Sequence, residues 1–251
     1  MRQTILITGG TGKFGRKFVE YFSEKDWEVL FTSTNLDRAS ELVASLKRPN
    51  KTKAFICDLS SLAASVSLVN EIQAAGYKVN HLVNNARSLL SLGTDRLGQT
   101  NRSDFMAEYL MDVVVPYELS IALFNAQATS LNTIINIGSQ YGIVAANPNL
   151  YEDYPRQSPI QYGVAKAALG HLTKELAVRF SEHSIRVNCI AYGGVDGRVD
   201  SDFKDRYSSL VPSGRMLKDS ELVGPLEFLT GESSSAMTGH ILIADGGWTV
   251  W

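Results

Sequence analysis

Cysteine is scarce: the 251-residue chain has two, Cys57 and Cys189, far apart and each inside an apolar run. There is no CxxC and no cysteine–histidine cluster, which argues against a disulfide scaffold or a zinc site and fits a reducing, cytoplasmic setting. An excess of one charge is equally lacking, with 24 Lys+Arg against 26 Asp+Glu and a formal net charge of −2. Without a basic block, binding to a nucleic-acid backbone has little electrostatic support. No stretch of about 18 apolar residues occurs, and the early run Ile5-Leu6-Ile7 turns polar at Thr8, so no membrane association or signal peptide is expected. His81, His171, His183 and His240 lie on separate elements without metal-ligand spacing, so no metal is expected. No repeat or low-complexity linker interrupts the chain. It reads as a single domain over 1–251 with a small-molecule substrate.

What is present is an alternation of short β-branched runs and longer amphipathic stretches. Strands are predicted at Thr4–Ile7, Glu28–Thr32, Thr52–Cys57, Val79–Val83, Thr133–Ile137, Arg186–Ala191 and His240–Ile243. Helices are predicted at Lys13–Lys25, Asp37–Lys47, Ser61–Ala74, Asp104–Ala128, Tyr162–Ser181 and Ser220–Leu229. This order implies βαβ units: an α/β fold, a Rossmann-type doubly wound parallel sheet with helices on both faces. Consecutive apolar positions in several strands fit a sheet covered on both sides. The longest irregular stretch, Tyr141–Pro159, is expected to be functional or mobile.

The first strand runs into Thr8-Gly9-Gly10-Thr11-Gly12-Lys13-Phe14-Gly15 and then a helix. Glycine suits a turn with positive φ and a close backbone approach to a pyrophosphate, and the third glycine lets the helix pack on the strand. Gly9, Thr11, Gly12, Lys13, Phe14 and Gly15 are therefore expected to hold a dinucleotide. About 20 positions on, an acidic residue would bind a ribose 2′-hydroxyl and repel a 2′-phosphate. This chain has Ser33 and Thr34 there, with Lys13 and Arg38 within reach. That favours NADP over NAD; the alternative is that these are loop and cap residues, with Asn35 or Asp37 capping the next helix.

Two further features carry chemistry. The fifth strand ends in Gly138-Ser139, a hydroxyl at the carboxyl edge where open α/β sheets bind ligands. Later, Tyr162 and Lys166 stand at i and i+4 and share one helix face. A phenol ordinarily titrates near pH 10, and a neighbouring ammonium favours its anion. Such a tyrosine can exchange a hydroxyl proton while a hydride moves to or from a nicotinamide.

In this order of glycine loop, strand-end serine and tyrosine–lysine helix, the chain resembles the short-chain dehydrogenase/reductase family in its compact form. Asp58-Leu59, Asn84-Asn85-Ala86, Ile185–Ile190, Met237-Thr238-Gly239 and Asp245-Gly246-Gly247-Trp248 extend the match to both ends. The resemblance implies Ser139, Tyr162 and Lys166 as catalytic residues, with Asp112 at the position of the family's catalytic asparagine. It implies Asp58 and Leu59 beside the adenine, Asn85 and Ala86 on the adenosine side, Val195 at the nicotinamide amide, and Tyr162 and Lys166 at the nicotinamide ribose. Lys13, Asp112, Arg87 and Tyr192 depart from the family pattern, and the Ser139-to-Tyr162 interval is longer than usual. The insert and the Trp-rich terminus look like the branch linked to flagellin modification and acidic-sugar pathways.

The expected activity is interconversion of a secondary alcohol and a ketone with NADP, or with NAD. The substrate could be a sugar derivative, with specificity residing in the insert and Gly193–Pro212. The Gly9/Gly12/Gly15 spacing also admits a sugar-nucleotide epimerase or dehydratase that recycles its cofactor. Lys13 and Asp112 admit a dinucleotide-binding sensor without catalysis. The family also implies a homodimer or homotetramer, in which Trp248 and Trp251 either pack at a subunit contact or cap their own core.

Overall fold

The computed structural model describes residues 3–197 and 199–251; Arg198, within the Gly193–Pro212 stretch, lies outside the described residues. The strands are β1 (Thr4–Ile7), β2 (Glu28–Ser33), β3 (Thr52–Ile56), β4 (His81–Asn84), β5 (Thr133–Ser139), β6 (Arg186–Tyr192) and β7 (Ile241–Ala244). They form one parallel sheet in the order β3-β2-β1-β4-β5-β6-β7. The helices are α1 (Lys13–Glu24), α2 (Leu36–Ser45), α3 (Ala64–Ala74), α4 (Arg102–Tyr109), α5 (Val115–Gln127), α6 (Tyr154–Gln157), α7 (Ile160–Arg179), α8 (Ser201–Leu210) and α9 (Val223–Thr230). The doubly wound α/β architecture is as expected, and chain order reverses between β1 and β4, where such sheets bind ligands.

Strand alternation builds a core on each face. Register aligns Leu30, Leu6, Leu82, Ile134 and Val187 across five strands, and all five pack in one apolar cluster with α3 and α5. Their neighbours Ile5, Ile7, Val29, Phe31 and Val83 pack on the opposite face with Phe18, Phe22 and Leu226. A residue advance of one moves each side chain to the other core, so the register is strongly specified. A buried polar ladder crosses the sheet: Asn84 Nδ2 donates to Asn136 Oδ1 at 2.8 Å, and Asn136 Nδ2 to Thr173 Oγ1 at 2.9 Å. It ties β4 and β5 to α7, the three elements whose ends meet at the site. No helix among the described residues is long and apolar enough to cross a membrane.

Three local departures from the sequence reading have physical causes. The helix predicted over Asp104–Ala128 is split by a π-turn at Leu110–Val114. Pro116 has no amide hydrogen to give the carbonyl of Asp112, so the α-helical ladder opens and Val115 N–H reaches back to Leu110. Helix α8 was unpredicted, although Asp200 caps it by accepting from Phe203 N at 2.7 Å and Phe203, Tyr207 and Leu210 mark its apolar side. The Tyr141–Pro159 stretch is structured rather than irregular: it contains two 3-10 turns and α6. Leu150 and Tyr151 from it pack with Tyr207, Val211, Met216 and Trp248 in a third apolar cluster above the sheet. Trp248 thus serves its own core, stacked on Tyr207 at 4.5 Å, while Trp251 is exposed.

His81, at the start of β4, links this scaffold to pH. Its ring nitrogens sit 2.8 Å from Thr133 Oγ1 and 3.0 Å from Gln3 Oε1. Burial, reinforced by the charge of Arg186, pushes its pKa down to about 3. The folded state keeps the imidazole neutral where the unfolded chain takes up a proton, below about pH 6.5. This group's contribution to stability is therefore full above about pH 6.5 and is lost as pH falls towards 3. In denaturant unfolding between pH 7 and 4, His81→Gln is expected to reduce the slope of stability against pH by nearly one proton. An unaltered slope would show that His81 takes no part.

Candidate active site

The β1–α1 turn forms the floor of the site. Gly9 has φ +66°, and a Cβ there would lie 2.9 Å from Ala86 Cα. A side chain would thus be strained and would collide with the β4 loop. At Gly15 a Cβ would stand 2.2 Å from the Gly9 carbonyl oxygen, so only glycine allows α1 to seat on the turn. Thr8 and Asn85 lock the two loops together: Thr8 Oγ1 accepts from the amides of Asn85 and Ala86 at 2.9 Å, and Asn85 Nδ2 donates to Thr8 O at 2.8 Å. Gly12, the N-cap of α1, gives the first-turn amides no side-chain partner. These amides and the helix dipole make an anion seat.

From this floor a cavity of about 520 Å³ runs along the carboxyl edge of the sheet. It is lined by Gly9, Thr11, Gly12, Lys13, Phe14, Ser33, Thr34, Asp58, Leu59, Asn85, Ala86, Ser139, Tyr162, Lys166 and Val195. All but two of the residues singled out in the sequence therefore share one cavity. The first exception is Gly15, expected at the cofactor, which lies behind the turn and acts in helix packing. The second is Asp112, expected to be catalytic, which is buried behind Lys166 and does not reach the cavity.

The floor, the uncapped amides and a cavity of this length fit a nicotinamide dinucleotide. At the β2 end, Ser33 Oγ lies 3.0 Å from Thr11 Oγ1 and accepts from Asn35 N at 3.1 Å. Asn35, rather than Asp37, caps α2 by accepting from Arg38 N at 2.8 Å. The Arg38 side chain lines the cavity and makes no hydrogen bond or ion pair among the described residues. Lys13, also expected at the cofactor, does line the cavity. Its ammonium, however, is tied to the carbonyls of Val195 and Asp196 and lies 3.7 Å from Asp219.

At the other end, Lys166 is buried and doubly held: its ammonium donates to Asp112 Oδ1 and to Ile137 O, each at 3.0 Å. The π-turn that carries Asp112 thereby orients Lys166. Lys166 Nζ lies 5.8 Å from the Tyr162 ring centroid, and both side chains open onto the cavity. Ser139 Oγ is anchored by accepting from Tyr141 N at 3.2 Å.

The sequence pointed to the insert and to Gly193–Pro212 for specificity without naming side chains; Tyr141, Tyr151 and Tyr207 from these segments line the cavity's far wall. Tyr141 and Tyr151 bring their hydroxyls within 2.8 Å of each other, and Tyr207 donates to Gln140 Oε1 at 2.9 Å. Burial pushes the Tyr207 phenol up to about 12 and raises those of Tyr141 and Tyr151, so all three remain protonated near neutral pH. The usable signal was the Phe203/Tyr207/Leu210 spacing after Asp200. Arg87, noted above only as a departure, lies over the Tyr162 ring with its guanidinium carbon 4.4 Å from the centroid.

The comparisons with known proteins agree with this geometry. The family model described as enoyl-(acyl carrier protein) reductase matches residues 14–249. Post-translational flagellin modification protein A of Campylobacter coli is 26% identical over 97% of each chain. A short-chain dehydrogenase from Leptospira borgpetersenii, solved with bound NAD+, superposes with a TM-score of 0.87 at 29% identity, covering 99% of this chain and 93% of that one. The RhlG/NADP active-site complex from Pseudomonas aeruginosa gives a TM-score of 0.87 at 25% identity, covering 98% and 96%. With the family match running from the glycine-loop helix to the C-terminal turn, and the same fold holding NAD+ or NADP in solved relatives, the chain belongs to the short-chain dehydrogenase/reductase family of oxidoreductases.

Proposed function

We propose that this protein is an NADP-preferring oxidoreductase that interconverts a secondary alcohol and a ketone on a polar substrate such as a sugar derivative. The observation that carries the reading is the meeting of Ser139, Tyr162 and Lys166 in one cavity, with Lys166 held rigidly from behind. A nicotinamide dinucleotide, when bound, supplies or accepts the hydride. Ser139 then positions the carbonyl oxygen, and the Tyr162 hydroxyl gives that oxygen its proton in reduction or takes it back in oxidation. Lys166 lies beside the phenol, with its ammonium 5.8 Å from the ring centroid, and would clamp the ribose of the bound cofactor.

The NADP preference is supported by hydroxyls in place of a carboxylate at Ser33 and Thr34 and by the uncommitted guanidinium of Arg38. The paired hydroxyls of Tyr141 and Tyr151 on the cavity wall favour a substrate rich in hydrogen-bonding groups. A homodimer or homotetramer, as the family resemblance implies, belongs to the same reading.

Titration with each reduced cofactor, followed by turnover of a ketone panel read as loss of nicotinamide absorbance, tests this reading. NADPH is expected to bind about tenfold or more tighter than NADH, a difference of about 1.4 kcal/mol. Tighter NADH binding reverses the cofactor preference. Product formed without net absorbance change assigns an epimerase or dehydratase instead.

A further inference from the structure

Four cationic side chains line the cavity among the described residues: Lys13, Arg38, Arg87 and Lys166. Lys13 is tied to two carbonyls and Asp219, and Lys166 to Asp112 and Ile137 O. Arg38 stands at the Ser33 end, remote in the sheet from Tyr162, because β1 separates β2 from β4. Arg87 is the remaining cation, and it lies at the reacting end. Its side chain is 31% exposed, seated on the Tyr162 ring face, and makes no hydrogen bond among the described residues.

The nearby carboxylate does not satisfy it. Glu108 Oε1 is 3.8 Å from Arg87 Nη2, an ion-pair distance beyond hydrogen-bond reach. Glu108 is almost fully buried, and its other oxygen takes the hydroxyl of Ser91. Burial raises the Glu108 carboxyl above its ordinary range, which weakens it as a counter-charge. Arg87 thus keeps a planar fork of donors facing a half-enclosed cavity, the arrangement that recognises carboxylate or phosphate in two parallel bonds.

We propose that Arg87 is a substrate-binding residue and that the substrate carries an oxyanion group, carboxylate or phosphate, near the carbinol or carbonyl carbon that reacts at Tyr162. The hydroxyls of Tyr141 and Tyr151 on the facing wall suit the remaining polar part of such a molecule. This inference deepens the oxidoreductase reading and rests on it.

The test uses matched ketone pairs differing in charge: acetoacetate and 2-ketogluconate against their methyl esters, and dihydroxyacetone phosphate against dihydroxyacetone. Calorimetric binding to the NADP+-loaded enzyme and turnover with NADPH are both read. At least one anionic member is expected to bind and react about 10- to 100-fold better than its neutral partner. Arg87→Gln should lower the ratio of kcat/KM for the anionic member to that for its neutral partner by about 10- to 100-fold, with the loss in the KM of the anionic member, and Arg87→Lys should restore part of that ratio. The carboxylate and phosphate pairs distinguish the two forms of anion. The proposal is overturned if no anionic probe binds at millimolar concentration, if the neutral partners are preferred, or if Arg87→Gln lowers turnover of both members equally. The last result would assign Arg87 to the Tyr162 ring instead. Charge-dependent binding without any turnover would fault the reaction while leaving the anion site in place, and turnover indifferent to charge would do the reverse.

Discussion

Tyr162→Phe is expected to lower turnover by about 10²- to 10⁴-fold, the usual worth of a positioned general acid–base. The dissociation constant for NADPH should stay within about threefold. The substitution removes one hydroxyl and leaves the ring, whose packing is set by Arg87 at 4.4 Å on its face and by Tyr141 edge-on at 6.5 Å. Lys166 does not depend on the phenol for its place, because Asp112 and Ile137 O hold it. The cavity should therefore keep its shape while losing its proton donor. Steady-state kinetics beside a cofactor titration separate these effects, and undiminished turnover would remove Tyr162 from the reaction.

The second large effect is expected behind the cavity. Asp112 is 1% exposed and Lys166 is 6% exposed at their side chains, so Asp112→Ala leaves an ammonium buried without its counter-charge. Breaking such a pair costs about 3–5 kcal/mol, a large fraction of a domain's net stability. Asp112→Asn keeps an acceptor for Lys166 and should cost much less in denaturant unfolding. It also leaves more of the Lys166 charge directed at the phenol, so turnover of the asparagine variant should equal or exceed that of the parent. A fall of more than about tenfold in that variant, with stability retained, would show that the carboxylate itself handles protons.

These two predictions concern residues that the sequence revealed to different depths. Tyr162 and Lys166 were legible because one helical turn separates them and α7 runs without interruption from Ile160 to Arg179. Asp112 could be assigned a place by resemblance, but its contact with Lys166 crosses 54 positions of sequence and depends on a π-turn caused by Pro116. Gly15 was legible in its packing role: the expected close approach of helix to strand end is seen between α1 and the Gly9 carbonyl, while Gly15 itself does not line the cavity. The insert after β5 looked irregular because Pro148, Pro155 and Pro159 interrupt any periodicity. Its order comes from the partners it meets in α8 and at Trp248.

Local patterning was enough for the individual strands and helices, the glycine turn and the tyrosine–lysine helix. Each rests on residues close together in the chain, whose backbone preferences and apolar periods act before distant contacts form. Tertiary structure alone settled which charges are spent and which are free. Lys13 is consumed by the loop after β6, Lys166 is paired from behind, and Arg87 is left over the phenol ring. Charge availability depends on burial and on partners brought together by folding, and the order of residues along the chain carries no direct record of either.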